Sequence, residues 1–165
     1  MLAIDKYDFD LKSRVAHVAL LNLNLRLMEN WRAAQVQSAR EMLDYESLMI
    51  VMAVIVISAE KALRCESDAQ DLSLRNKLPP EKIGRVNLSS LAAATGINRE
   101  TVRRKVNKLQ ETGWLLRDKR DIRTITGAIS PDVIHDVILT QLEAVTGTVN
   151  RLHRAGVLMV ADQHS

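Results

Sequence analysis

In the stretch "TGINRETVRRKVNKLQETGW" (Thr95 to Trp114), Arg99, Arg103, Arg104 and Lys108 are interleaved with the apolar Val102, Val106 and Leu109. On a helix, at roughly 100° per residue, the three apolar side chains fall together. Glu100, Arg103, Arg104 and Asn107 fall opposite them, with Arg99 and Lys108 on the flanks. Such a face has a definite chemistry. Guanidinium groups are planar forks that hold two acceptors at once, such as two oxygens of a phosphate or O6 and N7 of a guanine. A second cationic feature follows directly: "WLLRDKRDIRTIT" (Trp114 to Thr126) reads as two short strands around a charged turn at Asp118 to Asp121, with Lys119 and Arg120 at its tip. Side chains of that length reach along a phosphate backbone or into a minor groove.

The basicity is local. The chain carries a net charge of +3, yet residues 99 to 123 hold nine basic residues against four acidic ones, a net +5 that leaves −2 for the other 140 residues. A charge concentrated in one segment suits a docking surface better than general solubility. A solvated helix face is the ordinary explanation for alternating charge, but here the exposed positions are mostly of one sign.

Two helix starts position this face. In "VNLSSL" Asn87 is placed to cap a helix, with Val86 and Leu91 as a hydrophobic staple; in "INRETV" Asn98 caps, with Ile97 and Val102 as the staple. Between them Gly96 supplies a left-handed residue that turns the chain sharply. Helix, glycine turn, helix and hairpin is the order of a winged helix-turn-helix, in which the second helix enters a major groove of duplex DNA with its first residues at base edges. The candidate contacts on the helix, read over 98–112, are Asn98, Arg99, Glu100, Thr101, Arg103, Arg104, Asn107 and Lys108. On the hairpin, read over 117–123, they are Arg117, Lys119, Arg120 and Arg123. Trp114 and Leu116 read as core anchors.

The run "LSSLAAATGINRETVRRKVNKLQETGWLLRD" and the hairpin "DKRDIR" followed by "TIT" resemble the MarR family of bacterial winged-helix regulators. The resemblance is firm over residues 86 to 126 and holds in outline for the flanks. It implies a homodimer joined through N- and C-terminal helices, Arg120 as the wing arginine, and Arg99 to Lys108 as the recognition helix. It also implies a small-molecule effector between the dimerisation helices and the winged helix; Met42, Met49 and Met52 are candidates to line that pocket, or are plain core.

The remaining elements read as scaffold. Leu11, Val15, Val18, Leu21, Leu25 and Met28 recur at helical spacing in the N-terminal third. The alternation in "LNLNLRL" would suit a strand, but no turn residues flank it and leucine favours helix. "LMIVMAVIVI" (Leu48 to Ile57) reads as a helix buried on all sides, too short for the roughly 20 residues that span a bilayer. Residues 66–84, with Pro79-Pro80, read as a linker. Ser130 caps a last helix, with Pro131 and Asp132 in its first turn. Its stripe Ile138, Leu142, Val145, Val149 and Leu152 has heptad spacing and would pack against a helix of the same chain or of a second copy. The expected plan is thus mainly α with a β-hairpin wing: 1–65 an N-terminal helical dimerisation region, 66–84 a linker, 85–128 the winged helix-turn-helix, and 129–165 a C-terminal dimerisation helix and tail.

Enzymatic chemistry finds no support in the residues. His17, His135, His153 and His164 lack metal-ligand spacing with one another or with Cys65, and the six glycines form no phosphate loop. Neither cofactor nor metal is expected. A single cysteine and the absence of a basic-then-apolar start in "MLAIDKYDFDLK" fit a cytoplasmic, nucleoid-associated protein without a membrane partner. The competing class is a winged helix serving as a protein-interaction or assembly scaffold, its cations solvated or facing an acidic partner.

Overall fold

The computed structural model describes residues 2–4, 9–38, 40–64, 84–119, 121–125 and 129–160. Among these the chain is mainly helical, with small antiparallel sheets. Its elements are β1 (Leu2–Ile4), α1 (Phe9–Val36), α2 (Tyr45–Arg64), α3 (Leu88–Thr95), α4 (Arg99–Glu111), β2 (Leu115–Asp118), β3 (Asp121–Thr124), α5 (Pro131–Arg154) and β4 (Leu158–Val160). The chain divides into two compact units, one made of Gln35–Val133 and the other of Met1–Ala34 with Ile134–Ser165.

In the first unit, α2, α3, α4 and the β2–β3 hairpin enclose one core. Ile50, Val54, Val86, Leu91, Val102, Val106, Leu109, Trp114, Leu115 and Ile122 are each at most 2% exposed. Burying a Val, Leu or Ile side chain completely is worth about 1.5–3 kcal/mol, so these residues hold the helices in place. Asn87 accepts from the N–H groups of Ser89 and Ser90, and the Ser90 hydroxyl accepts from the Asn87 N–H, a complete capping box for α3. Gly96 ends α3 at φ 70° with its N–H donated to the Ala92 carbonyl. Asn98 caps α4 by accepting from the Glu100 N–H at 2.9 Å.

The end of α4 is as closely specified. Gly113, at φ 75°, donates to the Gln110 carbonyl, and Trp114 donates to that of Leu109, the paired bonds of a Schellman motif. This turn delivers Trp114 into the core, where its indole Nε1–H finds the Glu41 carbonyl at 3.1 Å. Leu115 pairs with Thr124 and Asp118 with Asp121 in the hairpin. Val86 steadies it from outside: its N–H donates to Asp121 Oδ1 at 3.1 Å and its carbonyl accepts from the Ile122 N–H at 2.9 Å.

In the second unit, α1 and α5 bury Ala16, Ala19, Leu152 and Val157 together. β1 and β4 pair antiparallel with Leu2 opposite Val160 and Ile4 opposite Leu158. Lys12 Nζ donates to the Gly156 carbonyl at 3.1 Å. The Ser130 hydroxyl accepts from the Val133 N–H at the start of α5, as its position predicts.

Several expectations change. Leu116 is 58% exposed and is no core anchor; period-two alternation turns it outward and gives the inward places to Leu115 and Ile122. α2 is not buried on all sides, because Ile55 and Val56 stay exposed while Ile50, Val51 and Val54 face the core. The leucine-valine stripe of α1 does not meet the chain's own core: Val15, Val18, Leu21, Leu25 and Met28 are exposed and small alanines take the inner face. In α5, Ile138, Leu142 and Val145 are likewise exposed, while Val137, Ala144 and Thr148 are buried. The region 1–65 is not one body, since α2 packs on α3, α4 and β3 and belongs with the residues that follow it. Cys65, His164, most of the 66–84 linker, Arg120 and the side chain of Leu11 lie outside the described residues. No described helix is long and apolar enough to cross a membrane.

Candidate nucleic-acid interface

α4 is the centre of the cationic surface. With Val102 and Val106 at 0% and Leu109 at 1% exposure, the register of the helix is settled, and Arg99, Glu100, Arg103, Arg104 and Lys108 are exposed. Thr101 and Asn107 are half-buried at the edges of that face. Asn98 commits its side-chain oxygen to the cap. Arg99 and Arg104 form no ion pair among the described residues.

Arg103 is held. Its Nε donates to Glu100 Oε2 at 2.9 Å and Oε1 at 3.1 Å, and its Nη2 donates to Oε1 at 2.5 Å. The bonds from Arg103 lower the Glu100 pKa, and those to Glu100 raise that of Arg103. Lys108 Nζ sits 3.0 Å from Glu41 Oε1.

Lys105 has a different task. Its ammonium meets Asp44 Oδ2 at 2.5 Å and Glu46 Oε2 at 3.4 Å, and its side chain is only 16% exposed. Asp44 also accepts from the Ser47 N–H at 2.9 Å, so one carboxylate caps α2 and ties α4 to it. The hydrogen bond from Lys105 is the main reason that the Asp44 carboxyl falls from 3.8 to about 2. The bond to Asp44 in turn raises the Lys105 pKa.

On the hairpin, Arg117 and Lys119 are exposed, and Arg117 Nε donates to the Lys119 carbonyl at 3.3 Å. Lys119 takes the left-handed conformation at φ 53°, as tight two-residue hairpins require. Arg123 pairs with Asp121 through Nη2 at 2.7 Å and Nε at 2.8 Å. Burial pushes the Asp121 carboxyl up, but the bonds from Arg123 and the Val86 N–H outweigh it, and its pKa is lowered. The structure therefore brings α4 and the hairpin together around one core, and with them every described residue of the candidate set.

Sequence reasoning missed the segment just before α2. Arg40 lies over the Trp114 ring, 5.8 Å from its centroid, Glu41 meets Trp114 and Lys108, and Asp44 meets Lys105. Asp44 three residues before Ser47 is a helix-start signal, but nothing in the sequence links it to a lysine sixty-one positions on.

No group of histidine, cysteine or carboxylate side chains that could hold a metal occurs among the described residues. Met49 and Met52 are half-buried and Met42 is exposed. A surface cavity is lined by Ser13, Arg14, His17 and Val18, and none of the three methionines lines it. Comparison with protein-family models, with curated proteins and with solved structures returned no match to this chain.

Proposed function

We propose that the chain is a winged-helix, MarR-like transcriptional regulator that binds double-stranded DNA sequence-specifically as a homodimer, most simply as a repressor. The observation that carries this reading is α4. Its apolar face is wholly sunk in the core, so its arginines stand outward on the second helix of a glycine-turned pair, and a hairpin with a cationic tip follows. The exposed apolar stripes of α1 and α5 support a second copy as partner, since apolar rows at helical spacing are otherwise left in water.

In this mechanism each protomer inserts α4 into a major groove, and the two grooves lie about 34 Å apart along one face of the duplex. Lys108, Arg117 and Lys119 meet phosphates and set the register, with Arg120 and Arg123 of the hairpin at the minor groove. Arg99, Arg103 and Arg104 read base edges from the first turns of α4, beside Asn98, Glu100, Thr101 and Asn107. Its place of action would be the cytoplasm, on the nucleoid. A small-molecule effector would act by changing the spacing of the two recognition helices.

A second reading has one observation in its favour. Arg103, Lys105, Lys108 and Arg123 each have an acidic partner within the chain, which weakens the field a polyanion would meet. A protein-interaction scaffold would tolerate that. Selection from a randomised duplex pool at near-physiological salt separates the two: the regulator retains an inverted repeat with half-sites about one helical turn apart, and the scaffold retains no preferred sequence.

A further inference from the structure

We infer that Glu100 is a positioning residue that aims Arg103 at a guanine, so that each half-site contains a guanine whose recognition depends on both side chains. This rests on the DNA-binding reading above and adds to it the base that is read and the residue that orients the reader. A guanidinium has five N–H donors in a fixed plane. In Arg103 the edge formed by Nε and Nη2 is taken by the Glu100 carboxylate through three contacts of 2.5–3.1 Å. Three N–H groups remain, and two of them, one on Nη1 and the outer one on Nη2, form the end of the fork and point in parallel along the side chain. That end matches the paired acceptors O6 and N7 on the major-groove edge of guanine. The donors that would otherwise wrap a phosphate sideways are blocked.

The location of the pair agrees with this use. Both residues lie in the first turns of α4, on the face opposite Val102 and Val106, and both are exposed at 71% for Glu100 and 51% for Arg103. Neither is needed to hold the fold. An unbraced arginine loses several rotatable bonds of freedom when it docks, whereas a braced one has lost part of it beforehand. The pair is also neutral in sum. Arg103 therefore contributes base discrimination with little counterion release, unlike the unpaired Arg99 and Arg104.

The test uses the full chain and three variants, Arg103→Ala, Glu100→Ala and Glu100→Gln, with folding checked by circular dichroism. Each is carried through selection from a randomised duplex pool. The best wild-type site is then remade with 7-deazaguanine, which lacks the N7 acceptor, at each guanine in turn. We expect one guanine per half-site whose replacement costs about 5- to 150-fold in affinity. Arg103→Ala and Glu100→Ala should erase the preference at that same position, Glu100→Gln should reduce it, and both Glu100 variants should bind unrelated duplex more tightly. If the wild type selects a site but Glu100→Ala keeps full guanine preference, the positioning role is wrong and the regulator reading stands. A purely electrostatic Glu100 would raise affinity for all sequences alike without touching preference, which also overturns the inference. A wild type that selects nothing removes the DNA reading and this one with it.

Discussion

Lys108 offers the sharpest test of how the cationic face is used. Its ammonium is 3.0 Å from Glu41, with the two side chains 57% and 55% exposed, so the pair is a surface ion pair. Such pairs are worth about 0.2–1 kcal/mol. In the proposed DNA-bound dimer, a phosphate that takes Lys108 must displace Glu41 and loses that amount in each protomer, roughly 0.4–2 kcal/mol in all. Glu41→Gln should therefore tighten binding by about 2- to 30-fold. The gain should be equal on operator and unrelated duplex, because phosphate contacts carry no sequence information. The fold tolerates the change, since Trp114 bonds to the Glu41 backbone carbonyl and not to its side chain. By the same logic Lys108→Ala should cost less than Lys119→Ala, whose ammonium has no acidic partner among the described residues. Fluorescence anisotropy on both duplexes from about 50 to 200 mM salt reads all of this, with Lys119→Ala lowering the salt slope by roughly 1.8 per dimer. Unchanged or weaker binding by Glu41→Gln would refute the competition, as would tightening confined to the operator.

Four further outcomes follow from the fold. Lys119→Gly relieves a left-handed lysine at φ 53° and should add about 1 kcal/mol of stability while weakening binding to every duplex, opposite signs that a thermal melt and a binding titration read together; a lower melting temperature contradicts it. At Asp44, Asn keeps the cap of α2 and Ala loses it, so in urea unfolding Ala should be the less stable by about 1 kcal/mol. The Asp44 carboxyl is depressed in the fold to about 2 from an ordinary 3.8, so the unfolded chain binds the proton more readily. Its contribution is full above the ordinary value and is lost as pH falls through about 2, and Asp44→Asn should flatten that acid limb. Leu115→Ser should cost more than about 2 kcal/mol and Leu116→Ser less than about 0.5 kcal/mol; equal costs would put the hairpin in another register.

Local chemistry was the legible part of the sequence. The caps at Asn87 and Asn98, the turn at Gly96 and the burial of Val102, Val106 and Leu109 all depend on neighbours within four residues, and each is found as the sequence predicts. Leu116 departs from expectation because a single apolar residue beside Trp114 does not reveal strand phase until the partner strand is known. Periodicity marks the α1 stripe as a helical face but says only that the face is apolar, not which surface covers it; the alanines that pack against α5 carry no such signal. Nothing local foretold the ties of Lys105 to Asp44 and Lys108 to Glu41, which join residues over sixty positions apart. These ties decide which cations remain available for a ligand.

The pairing of residues 2–4 with 158–160 has a consequence for how the molecule comes together. One compact unit is continuous, Gln35–Val133, and the other is assembled from the stretches on either side of it. Synthesis runs from the N-terminus, so the continuous unit has all its residues when only the first turn of α5 has been made, while Ala16 and Ala19 of α1 wait uncovered for Leu152 and Val157. A folded body of about 100 residues has a radius of gyration near 13 Å, against about 30 Å for the same length unfolded. Its collapse shortens the span that α1 and α5 must close and removes much of the entropy of closing it. For the split unit, the part of the chain that carries the cationic helix is a loop already closed.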